Sequence, residues 1–340
     1  MPHIESNTAL NFDTYRFGSL GSHVITSASS TSVTSEGGGF KDEIWGTFTE
    51  VGGGQYAGSV MGYTQTAGSD IVLKIFGLTG FSVADFAQAV SQNLSLSDVL
   101  VSLGDINVWG TKFGDLVRTH AGDDRIYPGF GNDTVFAGGG DDRIDIGYGK
   151  GGGQNYFRGE DGNDTITGGD LFDDLHGNVG NDVVEGGHGN DWVVGGKDDD
   201  QLSGQHGDDI VYGNLGNDTC YGDWVYYGGR VVGNDLVRGG KGDDSLIGGD
   251  GDDWLSGDKD SDTISGGSGS DVFHTFGDAG LDRVLDFNRA EGDRVQLDPG
   301  TVYTVGQSGS DVVISMTGGG QMVLVGVDMA SLSGDWIFIQ

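Results

Sequence analysis

A nine-residue pattern of polar and apolar positions runs through the middle of the chain. Residues 185–209 read EGGHGNDWVVGGKDDDQLSGQHGDD, where glycine and acidic residues surround one apolar position that comes two residues after an aspartate. If this aspartate is position six, position eight is apolar and positions one, two and four favour glycine. Because side chains alternate between the two faces of a strand, the pattern predicts a six-residue turn followed by a minimal strand whose middle side chain enters a core.

The position-six aspartates form three blocks with a step of nine inside each block. The blocks are separated by steps of 22, from 142 to 164, and of 17, from 218 to 235, which we interpret as loops that bulge from one array. Asp115 fits the same phase as a degenerate first member. The regular members are Asp124, Asp133, Asp142, Asp164, Asp173, Asp182, Asp191, Asp200, Asp209, Asp218, Asp235, Asp244, Asp253, Asp262 and Asp271.

The segments on either side of the array have different patterns. Residues 1–112 contain strand-like alternation in SHVITSA, DEIWGTFTEV and SDIVLKIFGL, and helical periodicity in SVADFAQAVSQNLSLSDVLVSL. Residues 274–340 contain short apolar stretches separated by turn residues: DRVLDF, DRVQLD, VVISM, QMVLVGV and DWIFI. We therefore predict a small β-rich domain with one or two helices over residues 1–112, the repeat array over 113–273, and a β-strand cap over 274–340.

Composition and charge limit the possible partners. The chain of 340 residues has 68 glycines and only 3 prolines, and its 17 basic and 52 acidic residues give a net charge of -35. So strong a negative charge argues against nucleic acid as a partner and favours cations. The single cysteine, Cys220, excludes an internal disulfide. No apolar run approaches the length of a transmembrane segment.

The repeats need a stabilising agent besides their core. One buried apolar side chain per nine residues contributes less free energy than ordering nine backbone residues costs. Clustered carboxylates and free carbonyls are hard oxygen ligands, which Ca²⁺ prefers in a flexible coordination shell. A bound Ca²⁺ would also cancel the repulsion among the carboxylates, so the composition indicates a calcium-dependent fold.

The repeat resembles that of the RTX (repeats-in-toxin) family of haemolysin-type calcium-binding proteins. The segments GGHGNDWVV, GGKGDDSLI and GGDGDDWLS carry the full pattern G-G-x-G-x-D-x-U-x, in which U is apolar. The resemblance covers roughly residues 113–273 and implies an all-β fold, a right-handed parallel β-roll with two repeats per coil. It also implies that one Ca²⁺ lies between turns 18 residues apart. Its ligands are two position-six aspartates, the carbonyls of positions two and four of one turn, and those of positions one and three of the other.

This resemblance assigns about ten calcium sites. The aspartate pairs are Asp115/Asp133, Asp124/Asp142, Asp164/Asp182, Asp173/Asp191, Asp182/Asp200, Asp191/Asp209, Asp200/Asp218, Asp235/Asp253, Asp244/Asp262 and Asp253/Asp271. The glycines expected to supply carbonyls are Gly138, Gly140, Gly162, Gly180, Gly187, Gly189, Gly207, Gly216, Gly240, Gly242, Gly249, Gly251, Gly267 and Gly269. Leu171, Asp198 and Asp260 replace glycine at position four, and we expect weaker sites there.

The same resemblance implies secretion. RTX proteins leave Gram-negative cells unfolded through type I secretion machinery, directed by an uncleaved C-terminal signal, which GLDRVLDFNRAEGDRVQLD and the terminal DWIFIQ resemble. The first residues show no basic region followed by an apolar one, as a cleaved signal peptide would. We expect a secreted or cell-surface location; a cap on the roll is compatible with the same C-terminal strands.

No sequence motif identifies a catalytic site in this chain. The zinc motif H-E-x-x-H and the nucleophile elbow G-x-S-x-G are both absent, and the acidic residues of 1–112 show no spacing that singles out a catalytic pair. The first hypothesis is a structural, surface or interaction protein, with a matrix or cell-surface glycan or protein as partner. The alternatives are a polysaccharide-active enzyme with its site in residues 1–112, and a small host-interaction or membrane-active protein.

Two surface features follow from the register of the repeats. Trp192, Val194, Ile210 and Tyr212 should lie side by side on neighbouring strands as an outward apolar patch, over which the aromatic insertion WVYYGGRVV either folds or forms a binding platform. His188 and His206 share position three, 18 residues apart, and should stack on adjacent coils. We interpret them as a surface pair, with a transition-metal site as the alternative.

Overall fold

The computed structural model describes residues 105–111, 114–146, 152–223 and 232–340, together with the backbone of six strands between residues 3 and 76. The chain divides into two compact units, Met1–Thr165 and Ile166–Gln340. The predicted helical stretch within residues 81–102 lies outside the described residues. The domain boundaries after residues 112 and 273 stay predictions.

The first unit combines antiparallel and parallel strands. β2 to β6 form an antiparallel meander, and β1 pairs antiparallel with β6 and parallel with β7. The meander contains the three strands predicted in this region. The strands are β1 His3–Glu5, β2 Val24–Ala28, β3 Ser32–Gly37, β4 Phe40–Gly52, β5 Gln55–Ala67, β6 Asp70–Phe76, β7 Asn107–Thr111, β8 Leu116–Arg118, β9 Arg125–Gly129, β10 Thr134–Gly139, β11 Arg143–Asp145 and β12 Tyr156–Asp161, with β13 Thr165–Thr167 at the boundary.

The second unit is a parallel β-roll made of two facing sets of strands, here called sheet 1 and sheet 2. Sheet 1 contains β15 Val183–His188, β17 Gln201–His206, β19 Thr219–Tyr221, β21 Ser245–Asp250, β23 Thr263–Ser268 and β25 Leu281–Val284. Sheet 2 contains β14 Asp174–Val179, β16 Trp192–Lys197, β18 Ile210–Leu215, β20 Leu236–Lys241, β22 Trp254–Lys259, β24 Val272–Thr275, β26 Arg294–Leu297 and β30 Ile337–Ile339. Successive strands alternate between the sheets, which confirms the parallel β-roll with two repeats per coil.

The core of the roll is the column of position-eight side chains. Val193 pairs in register with Val211 in sheet 2, and Leu202 pairs with Val184 and Cys220 in sheet 1. All five side chains are fully buried. The predicted core stack of Val193, Leu202 and Val211 is therefore confirmed, and the single cysteine occupies an ordinary core position.

The 22-residue interruption conceals a repeat. Asn155 occupies position six, because its Oδ1 accepts a 3.0 Å hydrogen bond from the Asp133 N–H, and Phe157 fills position eight with no exposure. The distance from residue 142 to 155 is 13, so only four residues are inserted before this repeat, and the next nine lead to Asp164. Interpreting the whole interruption as one loop was therefore wrong.

The 17-residue interruption is one repeat with an insertion inside its turn. Gly222 and Asp223 continue sheet 1 at positions one and two, since their N–H groups donate to the carbonyls of Ile247 and Gly248 at 2.8 and 2.9 Å. A Cβ at Gly222 would meet Asp235 Oδ2 at 2.2 Å, the relationship that position one has with its own position six elsewhere. The inserted residues, 224–231, lie outside the described residues, and so does the predicted role of Trp224, Tyr226 and Tyr227.

The C-terminal strands extend both sheets. Thr263 and Ile264 of β23 pair with Arg283 and Val284 of β25. β25 then pairs parallel with β29, Gln321–Leu324, which ends an antiparallel set with β27 Tyr303–Ser308 and β28 Asp311–Met316. Among the described residues the only helical turn is the 3-10 segment Met329–Ser331, and no helix is long and apolar enough to cross a membrane.

Candidate calcium-binding ladder

Position-six aspartates are connected from coil to coil by hydrogen bonds. The main-chain N–H of each donates to the Oδ1 atom of the next one in the same sheet. The bond from Asp191 to Asp209 is 2.7 Å long, and that from Asp200 to Asp218 is 2.9 Å long. Since one oxygen of each carboxylate is fixed in this way, the orientation of the second oxygen is fixed as well. We call the resulting columns, one beside each sheet, the aspartate ladder.

The ladder brings together most of the predicted pairs. Within the first unit these are Asp115/Asp133 and Asp124/Asp142. Within the second they are Asp173/Asp191, Asp182/Asp200, Asp191/Asp209, Asp200/Asp218, Asp235/Asp253, Asp244/Asp262 and Asp253/Asp271. The tenth pair, Asp164/Asp182, has one member in each unit and stays a prediction.

The ladder also contains pairs that the sequence did not predict. The same hydrogen bond connects Asp142 to Asp164, Asp209 to Asp235, Asp218 to Asp244 and Asp271 to Asp293. The first three bridge the interruptions, where the spacing is 22 or 26 instead of 18. The sequence could have indicated Asp293, since it begins an Asp-x-apolar triplet. The apolar residue of this triplet, Val295, is fully buried in the core.

Asp282 is a further aspartate in the position-six register. The pairing of Thr263 with Arg283 places it beside Asp262, and its side chain is fully buried. The Thr275 hydroxyl donates to its Oδ2 at 3.1 Å. The steps from 271 to 282 and from 282 to 293 are both 11, so a search for a step of nine does not find these residues.

The second carboxylate oxygen of the ladder lacks a donor. The side chains concerned are 1–3 % exposed, yet their Oδ2 atoms have no hydrogen-bond partner among the described residues. This holds for Asp142, Asp191, Asp200, Asp209, Asp218, Asp235, Asp244, Asp253 and Asp271. An unsatisfied buried carboxylate oxygen costs several kcal/mol, so nine of them along the aspartate ladder indicate a positively charged ligand.

Burial raises the pKa of these carboxyl groups. The pKa values of Asp200, Asp209, Asp235 and Asp253 rise to about 8, mainly because burial penalises the charged form. The hydrogen bond from the preceding aspartate N–H lowers each pKa, and the neighbouring carboxylates of the ladder raise it. A divalent cation would have the opposite effect, since it stabilises the ionised form.

The turns depend on left-handed backbone at positions two and four. All the glycines predicted as carbonyl ligands have positive φ: Gly138, Gly140, Gly162, Gly180, Gly187, Gly189, Gly207, Gly216, Gly240, Gly242, Gly249, Gly251, Gly267 and Gly269. Residues that replace glycine at position two also have positive φ: Gln205 has φ 73° and Asn214 has φ 82°. Side chains other than glycine seldom adopt this region, which explains the glycine preference.

The three substituted turns are not equivalent. Asp198 and Asp260 keep positive φ at position four, at 73° and 78°, whereas Leu171 does not. In the Leu171 turn the N–H of Gly169 donates to Asp173 Oδ2 at 2.5 Å, so this oxygen has a backbone donor. The turn at 168–173 therefore departs most from the geometry of its neighbours.

The preference for glycine at position one has a different cause. The φ of this glycine is not in the left-handed region, but a Cβ there would collide with the carboxylate five residues later. At Gly204 the Cβ would lie 2.3 Å from Asp209 Oδ2, and at Gly195 it would lie 2.1 Å from Asp200 Oδ2. Position one therefore provides the space in which the second carboxylate oxygen sits.

Position five forms a second ladder that the sequence analysis missed. Here the main-chain N–H of each position-five residue donates to the side-chain Oδ1 of the position-five residue in the previous coil. In the aspartate ladder the N–H donates to the following coil instead. Asp199 donates to Asn181 at 3.2 Å, and Asn217 donates to Asp199 at 2.7 Å. The sequence pattern that could have predicted this second ladder is the recurrence of Asp or Asn immediately before position six, as in GND and GDD.

The arrangement fits a calcium site only if the backbone contributes ligands. No group of three or more His, Cys, Asp or Glu side chains converges on one point in the described part of the chain. Each site offers two carboxylates, and Ca²⁺ takes six to eight oxygens, so carbonyls must supply the rest. A carbonyl oxygen has two lone pairs, so a turn carbonyl that already accepts a hydrogen bond, as that of His206 does from the Gly189 N–H at 2.8 Å, can still bind a cation. The residues present therefore fit Ca²⁺.

The predicted surface features are confirmed in part. His188 and His206 stack with ring centroids 4.3 Å apart and planes 13° from parallel. Trp192 and Ile210 are neighbours and remain 40 % and 37 % exposed. Val194, expected in the outward patch, is 7 % exposed, because it lies at the floor of a groove between His176 and Tyr212.

Comparison with a family model agrees with this geometry. The model of the RTX calcium-binding nonapeptide repeat (4 copies) matches residues 109–145, 151–184, 167–202, 194–224, 232–264 and 247–284. Among solved structures, the extracellular lipase LipA from Serratia marcescens is similar over 92% of this chain and 83% of its own, with 11% identity and a TM-score of 0.22. Among curated proteins, none matches. Through the repeats at residues 109–284, this chain belongs to the RTX family of calcium-binding proteins.

Proposed function

We propose that this protein is a secreted calcium-binding RTX protein whose repeats fold on extracellular Ca²⁺ and which then acts as a structural, surface or interaction protein. The observation that carries the proposal is the set of buried Oδ2 atoms along the aspartate ladder that have no donor among the described residues. Removing so many carboxylates from water is unfavourable unless a cation accompanies them.

The residues that would hold each ion are two consecutive members of the aspartate ladder and main-chain carbonyls of the two turns. For the site between Asp191 and Asp209, the carbonyls are those of Gly187 and Gly189 in one turn and of Gly204 and His206 in the other. Bound Ca²⁺ supplies positive charge to the carboxylates and ties adjacent coils together. We expect about ten such ions from the regular repeats.

The high negative charge supports export before folding. At low Ca²⁺ the carboxylates repel one another, so the repeats should remain unfolded in the cytosol and fold where Ca²⁺ reaches millimolar levels. We propose that residues 274–340 carry the type I secretion signal of a Gram-negative bacterium. Expression of the full chain with and without a type I exporter tests this proposal, and a chain that lacks residues 274–340 serves as the comparison. Export that needs neither the exporter nor these residues would refute it.

A calcium titration of the purified full chain tests the folding proposal. We expect circular dichroism to report little strand in chelator and a cooperative gain of strand at millimolar Ca²⁺, with Mg²⁺ much less effective because it demands a rigid octahedral shell. Isothermal titration calorimetry then counts the ions. Equal strand content in chelator and in Ca²⁺ would refute calcium-driven folding.

A further inference from the structure

The second unit contains a groove of about 1080 Å³ on the face of sheet 2. Its floor is a row of position-nine side chains, His176, Val194, Tyr212 and Arg238 from four consecutive strands, and His274 two strands further on. Its rim is the parallel row at position three, with Lys197, Leu215, Lys241 and Lys259. We call it the lysine groove.

The distribution of lysine along the chain makes this groove unusual. Residues 166–340 contain three lysines, Lys197, Lys241 and Lys259, and all three line the groove. The whole chain carries a net charge of -35, so a random surface of this size would be acidic. Lys197 and Lys241 are exposed and form no ion pair with the described residues, whereas Lys259 Nζ lies 2.6 Å from Asp278. Two ammonium groups are therefore available to an anionic ligand.

The floor of the groove is held by its own contacts. The Arg238 guanidinium binds Asp258 Oδ2 at 2.6 and 2.9 Å and lies 5.7 Å from the Tyr212 ring centroid. The ring of His274 stacks on Trp254 at 5.0 Å. Such pre-positioned aromatic and planar polar groups reduce the entropy lost on binding.

The spacing of the charges indicates an elongated ligand. Lys197 and Lys241 are two strands apart in the same row, which corresponds to about 10 Å, and Lys259 is one strand further. The ligand must therefore run across the strands, along the stacking direction of the coils. A polymer with regularly repeated negative charges matches this row.

The position of the groove on a sheet face argues against a peptide. The backbone groups of these strands are already paired within sheet 2, so an extended peptide would find no edge to join. Double-stranded nucleic acid carries one negative charge per about 1.7 Å of its axis, a density that the widely spaced ammonium groups of the groove do not match. Sugar rings have apolar C–H faces that pack on a ring such as that of Tyr212, and hydroxyls that can bond to Asn214 and Asp298, which also line the groove.

We propose that the lysine groove binds a carboxylate-bearing polysaccharide of the uronate type. Few and widely spaced ammonium groups suit a chain with one carboxylate per sugar better than a densely sulfated one. The proposal deepens the proposed function by naming the partner of an interaction protein, and it rests on that function because the groove exists only in the folded roll.

Fluorescence anisotropy with a labelled octagalacturonate tests the proposal in saturating Ca²⁺. We expect binding that weakens as NaCl is added, because the ammonium groups are exposed, and no binding of a labelled maltooctaose. The double variant Lys197→Gln/Lys241→Gln should bind about fivefold more weakly, and Tyr212→Ala should also weaken binding. The matched control Arg143→Gln/Arg283→Gln removes the same charge outside the groove and should bind as the parent chain does.

The alternatives give different results. The proposal would be overturned if octagalacturonate did not bind, or if both double variants lost the same amount of affinity for it. Tighter binding of polyglutamate would assign the groove to an acidic peptide, and tighter binding of dextran sulfate to a sulfated glycan; either also overturns it. Circular dichroism of each protein in Ca²⁺ shows whether the roll has folded, so that failure of the groove is distinguished from failure of calcium-driven folding.

Discussion

The main-chain N–H of Asp191 donates to Oδ1 of Asp209 at 2.7 Å, which fixes the Asp209 carboxylate and leaves its Oδ2 without a donor among the described residues. One oxygen thus has a structural role, and the other is available to a ligand. Because the relationship recurs along the aspartate ladder, the proposed sites assign each inner aspartate to two adjacent ions. Changing one of them should therefore affect two ions.

Asp209→Asn separates these two roles, since the amide keeps Oδ1 as an acceptor but removes the charge. We expect about two fewer bound ions and an increase of about threefold or more in the Ca²⁺ concentration at the midpoint of folding, because calcium affinity depends on the number of charged ligands. Calorimetry gives the stoichiometry and circular dichroism gives the midpoint.

The adjacent Asp208→Asn is the matched control. Asp208 is exposed at position five, where its Oδ1 accepts from the Asn234 N–H at 2.9 Å, a bond that the amide oxygen can preserve. The overall change in charge is the same. Equal effects of the two variants would mean that net charge, and not the ladder, determines calcium binding.

Gly204→Ala tests the space at position one. The new Cβ would lie 2.3 Å from Asp209 Oδ2, so the carboxylate must move. We expect the free energy of unfolding in saturating Ca²⁺ to fall by about 1–3 kcal/mol, as other overpacked sites show. Thermal unfolding measures it.

Gly306→Ala is the control for this substitution, because nothing lies within 4 Å of a Cβ at Gly306 and its φ is not positive. It should unfold within about 0.5 kcal/mol of the parent chain. Comparable losses in the two alanine variants would show that the cost comes from glycine replacement in general.

Asn155→Asp should add a calcium site. Asn155 already accepts from the Asp133 N–H, so a carboxylate there would complete a pair with Asp133. We expect one more bound ion and roughly 1 kcal/mol of added stability in millimolar Ca²⁺. In chelator the same change should destabilise the repeats, because it adds a buried charge.

Gln154→Glu adds the same charge at the preceding position. Gln154 is exposed and its N–H donates to Asn132 Oδ1 at 3.0 Å, so the side chain is not part of the aspartate ladder. It should leave the ion count unchanged. A gain of an ion in this variant, or none in Asn155→Asp, would contradict the assignment of Asn155 to position six.

The sequence predicted the regular part of this architecture because a nine-residue period carries it directly. Asp191, Val193 and Asp209 occupy their predicted places since register follows from counting. Asn155 was not predicted because it replaces the aspartate of position six, and Asp282 and Asp293 were not predicted because the step between repeats there is 11. Val194 shows what the alternation of side chains along a strand does not predict. The alternation places position nine on the outer face of the sheet, but the small side chain of Val194 is covered there by its neighbours His176 and Tyr212.

The pH dependence of folding should reverse sign when Ca²⁺ is added. Burial raises the pKa of Asp209 to about 8 and that of Asp191 to about 7, above the value of roughly 4 for an unfolded aspartate. A group whose pKa is raised on folding stabilises the fold below its unfolded pKa. This contribution is lost as pH rises through the folded pKa.

In chelator, the strand signal should therefore be larger near pH 5 than near pH 8, since the unfolded chain loses its protons first. In millimolar Ca²⁺ the order should invert, because the ion binds the ionised carboxylates and must displace protons that the folded roll would hold at low pH. Circular dichroism at both pH values, with and without Ca²⁺, measures this. Calorimetry near pH 7 in buffers of different ionisation enthalpy should show proton release on binding. A strand signal in chelator that rises with pH would show that these carboxylates are not buried as the ladder requires.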